Sequence, residues 1–500
     1  MGACRASKRR HMRYNVLLID HGQPRAERTR MALRAPRGTA DLLGRQAQAW
    51  NSIRQTAFDF FALYGYRPIE TPAFEQLDVF VRGIGAATDV VGKEMFLVHD
   101  ARTVDRIASG DRPRADEELA LRPEMTAGVC RAVAEHNLVP PDSTTVKFVY
   151  GAAMYRHERP QKGRMREFHQ IGVECLGAAE PTADAEVIIM LMRFFEGLGI
   201  PSSSMRLLIN SMGDEECRPA YRNKVRDFIS AHSDALCEDC VRRADTNPLR
   251  AFDCKNALCQ EVLADAPKIT DELCAECDVH YAAVKQLLDA AGIQYVEAPR
   301  LVRGLDYYTR TVFEVQVTEG LGSQDAIGGG GRYDRLIEEF GGKPTPGLGF
   351  AVGFERILMA LEAANEAQFE APAPFVYVAA VDGDTRPTGE DTRSTGEDTR
   401  SAGESTRAVA FSLVQQLRDA GISAELDHQR RSLKSQFKQA DKSGVSYVVI
   451  VGPQELASGS VTLRAMTTRG EQQVPLTEII DTIKSGCIQS PSIEEGDTKP

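Results

Sequence analysis

Two β-rich runs, from Val146 to Arg156 and from Glu167 to Gly177, enclose the polar segment His157-Glu158-Arg159-Pro160-Gln161-Lys162-Gly163-Arg164-Met165-Arg166. This pattern commits the middle of the chain to two antiparallel strands joined by a long basic loop. Because side chains alternate along a strand, Phe168, Gln170, Gly172 and Glu174 share one face of the second strand, and Arg156 stands at the end of the first. Such a face offers a ring for stacking, an amide and a carboxylate in a row. The same composition also describes an exposed hairpin with an ordinary charged tip, so the remainder of the chain has to decide.

Three further segments bear on that choice. In Leu301-Val302-Arg303-Gly304-Leu305-Asp306-Tyr307-Tyr308-Thr309-Arg310-Thr311-Val312-Phe313-Glu314-Val315 a fixed cation, two phenols and a carboxylate precede a run that alternates like a strand. Arg offers a rigid donor fork for phosphate or carboxylate oxygens, and Tyr joins an apolar ring to one polar handle. Leu121-Arg122-Pro123-Glu124-Met125-Thr126 is a second polar segment. In Gly347-Leu348-Gly349-Phe350-Ala351-Val352-Gly353-Phe354-Glu355-Arg356-Ile357-Leu358, alternating glycines run into a helix expected from about Phe354. Glycines there let a ligand lie close to the backbone, with Arg356 facing it from the first turn.

Around these segments the chain divides by composition. Trp50, Ile53, Ala57, Phe60, Phe61 and Tyr64 recur at helical spacing before Gly65, and the proline-bounded run to Pro72 is extended, together a candidate dimer-forming element. Residues 214–292 carry helix-like stretches (221–232, 279–291) and most of the cysteines. After Ala371-Pro372-Ala373-Pro374, the strand-like 375–380, helix-like 408–420 and strand-like 447–452 suggest a small α/β domain. Within it, Thr388-Gly389-Glu390-Asp391-Thr392-Arg393-Ser394 repeats as Thr395-Gly396-Glu397-Asp398-Thr399-Arg400-Ser401, a polar repeat expected to be a disordered loop.

At 500 residues two or three domains are expected, and a formal charge of −11 argues against indiscriminate coating of nucleic acid. Apolar runs are broken well short of the roughly 20 residues needed to span a bilayer, so no membrane role is expected. The basic first stretch lacks an apolar signal core and reads as a tail, or as sequence upstream of a start at Met12 or Met31. Seven of the eleven cysteines lie between Cys217 and Cys277, which fits a reduced cytosolic setting.

In this order the segments resemble the class II aminoacyl-tRNA synthetases, and within them the histidyl-tRNA synthetase family, over nearly the whole chain from Arg34 to Ile483. Motif 1 matches the helix and strand up to Pro72, motif 2 the Arg156 hairpin and motif 3 the segment ending at Arg356. Arg303-Gly304-Leu305-Asp306-Tyr307-Tyr308 is similar to the family's histidine-recognition signature, and Leu121-Arg122-Pro123-Glu124 to another pocket segment.

The resemblance implies an α+β fold: a catalytic core with an antiparallel sheet flanked by helices, a helical insertion domain and a C-terminal α/β anticodon-binding domain. The expected divisions are a disordered basic extension (1–34), core (35–213), insertion (214–292), core (293–370), a terminal domain (373–485, with a disordered insert at 385–407) and a disordered tail (486–500). The implied reaction joins histidine and ATP into histidyl-adenylate and pyrophosphate, then passes the histidyl group to the terminal ribose of tRNA(His), in a cytoplasmic homodimer. Charge gathers on the α-phosphate and the leaving pyrophosphate, so fixed cations are needed at both.

By this resemblance Arg156 holds the α-phosphate with Arg303 beside it, Arg356 holds the γ-phosphate, Phe168 stacks on adenine, Glu158 lies near its amino group, and Mg²⁺ joins the β- and γ-phosphates. Glu124, Thr126, Gln170 and Glu174 are assigned to the histidine amine and ring, with Tyr307 and Tyr308 closing the pocket and Gly328 to Gly331, followed by Arg332-Tyr333-Asp334, as its floor. For tRNA the candidates are Arg159, Gln161, Arg164 and Arg166 of the loop, and a basic stripe at Arg430, Lys434, Lys438 and Lys442, four residues apart. Cys237-x-x-Cys240 and Cys274-x-x-Cys277 have zinc-ligand spacing, with Cys254 and Cys259 between, but the resemblance implies no metal there and none is assigned. A non-catalytic paralogue, such as the regulatory subunit of ATP phosphoribosyltransferase, is the rival. It usually lacks the anticodon-binding domain and loses the phosphate-binding arginines, all three of which stand here.

Overall fold

The computed structural model describes residues 33–86, 88–140, 145–318, 321, 325–364, 375–381 and 398–486. They belong to two units, Met1–Phe369 and Glu370–Pro500, each with a core of its own. The first thirty-two residues, 382–397 and 487–500, where most of the basic extension, the repeat and the tail were expected, lie outside the described residues.

In the first unit, helix α1 (Arg45–Ala62) buries Ala49, Ile53, Ala57 and Phe61, one stripe at four-residue intervals. Burying a side chain such as Phe61 or Ile53 is worth roughly 1.5–3 kcal/mol, which makes this stripe the helix's main source of stability. Gly65, at φ 84°, ends the helical run, and the Tyr66 N–H returns to the Phe61 carbonyl at 3.2 Å. The chain then enters β1 (Arg67–Pro68). Next come α2 (Thr126–His136), the hairpin β2 (Val146–Tyr155) and β3 (Glu167–Leu176), α3 (Pro181–Gly197) and β4 (Met205–Ser211). Helices α4 (Arg218–Ala231), α5 (Glu238–Thr246), α6 (Ala257–Leu263) and α7 (Ala275–Ala290) precede β5 (Val296–Glu297), β6 (Thr309–Val317), β7 (Ala326–Arg332), β8 (Gly347–Gly353) and α8 (Phe354–Ala363).

The strands form one eight-stranded sheet in the order β1-β2-β3-β8-β7-β6-β4-β5. Its interior pairs are antiparallel, and only the two edge pairs, β1 with β2 and β4 with β5, run parallel. Alternation divides its faces. Ile171, Val173, Cys175, Phe313, Val315, Leu348 and Phe350 pack into one core with α1, α3, α7 and α8. The opposite side chains of the same strands, Tyr150, Phe168, Gln170, Glu174 and Glu314 among them, are left to build the site.

Residues 214–292 do not pack as one body. Helices α4 to α6 bury Tyr221, Val225, Cys240, Phe252 and Leu263 in a small core of their own. Helix α7 instead places Tyr281, Val284 and Leu288 in the main core, and its His280 Nε2 lies 3.3 Å from the buried Asp184 of α3. The expected boundary at 292 therefore moves back to the start of α7. Its apolar spacing is that of a helix covering the sheet, which composition alone does not separate from the neighbouring helices.

The second unit is a five-stranded sheet. It comprises β9 (Val376–Ala380), then helix α9 (Asp398–Asp419), β10 (Ala424–Leu426), α10 (Leu433–Ser443), and β11 (Tyr447–Val451), β12 (Ser460–Ala465) and β13 (Glu471–Pro475), in the order β10-β9-β11-β12-β13. The parallel pairs β9/β10 and β9/β11 make it an α/β body, as expected. Helix α9 begins at Asp398, so the expected loop at 385–407 is helical over its last ten residues, continuous with the apolar stripe Ala410, Leu413, Val414 and Leu417. Lys434, Lys438 and Lys442 are exposed on α10, but Arg430 precedes that helix with φ 55° and is not part of its face.

Candidate active site

One cavity gathers most of the predicted residues. Glu124, Thr126, Arg156, Glu158, Phe168, Gln170, Arg303, Tyr307, Tyr308 and Arg356 all line it, together with Gly328 and Gly329. Residues more than two hundred apart in sequence meet because β2, β3, β8, β7 and β6 are successive neighbours in the sheet.

In one part of the cavity the groups are acids and phenols. Glu124, at the start of α2, accepts the N–H groups of Thr126 (2.8 Å) and Ala127 (3.0 Å), so it occupies donors that the first turn of a helix leaves unpaired. Tyr307 donates at 3.5 Å to Oε2, the oxygen that also takes the Thr126 N–H. Burial pushes the Glu124 carboxyl up, with those N–H groups pulling against the rise. Arg122, in the same segment, is no part of the lining. It is buried and donates to the carbonyls of Ala153 (2.9 Å) and Thr71 (2.8 Å), which fixes where Glu124 stands.

Glu174 is placed differently from the expectation. It is 1% exposed and lies behind the lining, accepting from Thr126 (2.7 Å), Tyr150 (3.3 Å) and Tyr333. Burial pushes its carboxyl up to about 8 against those three donors. Its effect on a ligand therefore runs through Thr126, Tyr150 and Tyr333, which do line the cavity. Room for it depends on Gly349, where an added Cβ would stand 2.2 Å from Glu174 Oε2. Gln170, on the same face of β3, has a buried Oε1 with no partner among the described residues. An acceptor in that condition awaits a donor from a ligand.

The other part is cationic. Arg156 donates through Nε to the Pro123 carbonyl at 2.9 Å, and its guanidinium sits 5.3 Å from the centre of the Phe168 ring. Arg303 is paired with Glu314 of β6, packs against Gly329, and keeps a buried Nε without a partner among the described residues. Arg356 donates to the carbonyls of Gly163 (3.2 Å) and Ala326 (2.7 Å). These anchors hold the guanidinium groups in place before any anion arrives.

The basic loop is only partly what its composition suggests. Arg164 turns inward to Glu158 at 2.7 Å and lines the cavity, and Arg166 folds back to the carbonyls of Glu158 and Arg37. Arg159 and Gln161 remain exposed. Within the expected floor, Arg332 points away, fully buried against Asp184 and 3.1 Å from Asp334. Tyr333 of that floor does line the cavity, whereas Glu314, Glu355 and Tyr150, which line it too, were not singled out. A lone Glu inside the apolar run Thr311-Val312-Phe313-Glu314-Val315 was the available signal for Glu314, because an acid on an inner strand needs a buried cation.

The carboxylates that line the cavity are hard oxygen donors, but Glu314 is held by Arg303, Glu355 by His169 and Glu158 by Arg164. Among the described residues no group of three acids converges there. Such a lining fits a magnesium ion carried mainly by the phosphates of a nucleotide, with Glu314 or Glu355 as an outer partner. No helix among the described residues is long and apolar enough to cross a membrane.

Comparison with known proteins agrees with this geometry. The family model for histidyl-tRNA synthetase matches residues 38–357, and one for an anticodon-binding domain matches 393–486. A histidine–tRNA ligase of Anaeromyxobacter sp. strain K is 43% identical over 449 residues, 90% of this chain and 99% of that relative. Another, from Halothermothrix orenii, is 42% identical over 451 residues, again 90% and 99%. The crystal structure of apo Staphylococcus aureus histidyl-tRNA synthetase superimposes with a TM-score of 0.70 at 31% identity, covering 90% of this chain and all of that one. The chain belongs to the histidyl-tRNA synthetase family.

Proposed function

We propose that this chain activates L-histidine with ATP and then transfers the histidyl group to tRNA(His). The observation that carries the reading is the coexistence in one cavity of three anchored arginines with the buried Glu124 and a Gln170 amide oxygen that has no partner among the described residues. The histidine carboxylate attacks the α-phosphorus, the bond to the bridging oxygen breaks, and pyrophosphate leaves. Arg156 and Arg303 meet the charge that builds on the α-phosphate, Arg356 holds the γ-phosphate, and Phe168 stacks on adenine with Glu158 beside it. Magnesium supplies further neutralisation of the phosphates when bound. The intact arginine set also speaks against a non-catalytic paralogue.

Glu124, Gln170 and Tyr307 receive the amine and imidazole of histidine. An imidazole presents a donor and an acceptor on one ring, and a similarly shaped side chain without them would leave those groups unpaired, a large penalty. Glu174 acts one layer behind, fixing Thr126, Tyr150 and Tyr333. The exposed Arg159 and Gln161 reach the acceptor end of tRNA, and Lys434, Lys438 and Lys442 meet its phosphates. The working form is a cytoplasmic homodimer built on α1 and the edge strand β1, whose two residues are exposed in the single chain.

The test is charging of tRNA(His) with labelled histidine in the presence of ATP and Mg²⁺. Histidine attached to the 3′-terminal ribose is the expected product. Adenylate formation without transfer would contradict the tRNA half of the reading, and absence of both would contradict all of it.

A further inference from the structure

The seven cysteines between 217 and 277 do not pair in the way their spacing suggests. Cys237 and Cys240 meet Cys254 and Cys259, whereas Cys274 and Cys277 meet Cys217 and Asp214. In each foursome the potential ligand atoms all lie within 4.8 Å of one another. Cys237 Sγ and Cys254 Sγ are 3.8 Å apart. Four sulfurs held at about 2.3 Å from a zinc ion stand about 3.8 Å from each other along the tetrahedron's edges, whereas disulfide-bonded sulfurs stand about 2.05 Å apart. The Cys237–Cys254 spacing matches one edge of such a tetrahedron, the other ligand atoms lie close enough to complete it, and all seven thiols are free.

Backbone donors support the same reading. The Cys237 N–H points to Cys259 Sγ at 3.2 Å and the Asp214 N–H to Cys217 Sγ at 3.3 Å, the kind of outer hydrogen bond that orients a thiolate toward a metal. Soft sulfur ligands, four in one site and three beside a carboxylate in the other, select zinc over magnesium or calcium, and four protein ligands leave no open position for chemistry. We infer that the chain binds two structural zinc ions, one in the Cys237–Cys240–Cys254–Cys259 site and one in the Asp214–Cys217–Cys274–Cys277 site.

The two sites do different work. The four-cysteine site lies inside the insert, where Cys240 and Cys259 are members of its small core. A body of roughly 60 residues is of the size at which a metal commonly supplements the hydrophobic core. The second site closes the neck of the insert. Asp214 and Cys217 stand where the chain leaves β4, and Cys274 and Cys277 where it rejoins the main core through α7. This neck also abuts the active site: Asp214 lies 3.4 Å from Arg310, and Arg218 of α4 donates to the Tyr308 carbonyl. A metal at the neck therefore braces the segment that carries Tyr307 and Tyr308.

Metal analysis of the full-length protein, purified without chelator, tests this directly. Two equivalents of zinc per chain are expected, with Cys254→Ser and Cys277→Ser each removing one. To separate metal loss from misfolding of either variant, the wild type is also produced with cobalt, where thiolate-to-cobalt charge-transfer bands and the intense visible bands of a tetrahedral ion are expected. Trace metal in the wild type, octahedral cobalt spectra, or a disulfide among these cysteines in anaerobically purified protein overturns the proposal. A single equivalent that is lost with Cys254→Ser and kept with Cys277→Ser overturns the neck site and upholds the other.

Discussion

The two parts of the cavity are oppositely built: Glu124 and Glu174 are buried, and Arg156, Arg303 and Arg356 are half-buried. Around Glu124 and Glu174 the acids are satisfied by hydroxyls and backbone N–H groups, and among the described residues no arginine is bonded to either. Around Arg156, Arg303 and Arg356 the cations are anchored by carbonyls and one carboxylate. The difference teaches how one pocket holds two unlike substrates. The first part keeps acceptors poised for an ammonium and an imidazole, and the second keeps donors poised for phosphates, with little reorganisation required of either.

Removing a cation should break this division most severely. Arg303→Ala is expected to slow adenylate formation by about 100- to 1,000-fold in single-turnover assays, with ATP affinity changed far less. Equal losses in rate and affinity would contradict its role at the α-phosphate. Since the substitution also strands Glu314, the Arg303→Ala/Glu314→Gln pair separates the lost cation from the unpaired acid. On the other side, Glu124→Gln should raise KM for histidine by about 10- to 100-fold, the worth of a charge-assisted hydrogen bond, and leave KM for ATP nearly unchanged. A matching rise for ATP would show that the two parts are not separable.

Glu174 tests whether a group behind the lining matters. Gly349→Ala pushes a methyl into Glu174 Oε2 and the Val173 carbonyl, and is expected to cost about 1–3 kcal/mol of stability while weakening histidine binding more than ATP binding. The acid itself titrates. With its folded pKa raised to about 8 from the usual 4.5, it holds a proton in the folded state that the unfolded chain releases. Its contribution is complete below about 4.5 and is lost as pH rises toward about 8. Glu174→Gln has no such slope, so the difference in Tm should shift in the variant's favour across that window. Parallel Tm profiles would contradict the assignment.

What could be read from the chain, and what could not, follows the range of the forces involved. The hairpin, the strand and helix around Arg356, and the stripe on α1 rest on local periodicity, and the structure reproduces them. The fold brings Glu124, Gln170, Tyr307 and the three arginines to one cavity, at strand ends and helix starts, and it is the family resemblance rather than local periodicity that groups them. The pairings follow from neither. Arg303 with Glu314, Glu174 with three hydroxyls, and Arg164 with Glu158 are decided by packing between segments. The cysteines show the same limit: their spacing announced metal-type pairs, but only the fold reveals that Cys240 goes with Cys254 and Cys277 with Cys217.

The smallest effects are expected outside the cavity. Replacing Lys434, Lys438 or Lys442 by Ala should weaken tRNA binding about two- to fivefold each and lower the salt dependence by about one counterion per lysine, while adenylate formation is untouched. An effect on adenylation would tie these lysines to the first step.

Exchange of labelled pyrophosphate into ATP tests the central claim most directly, because it reads the first reaction of the cavity without tRNA. The account predicts exchange that requires histidine and Mg²⁺ and is not supported by other amino acids. Folded protein that exchanges no label with histidine present, or that exchanges equally well without it, would contradict the account.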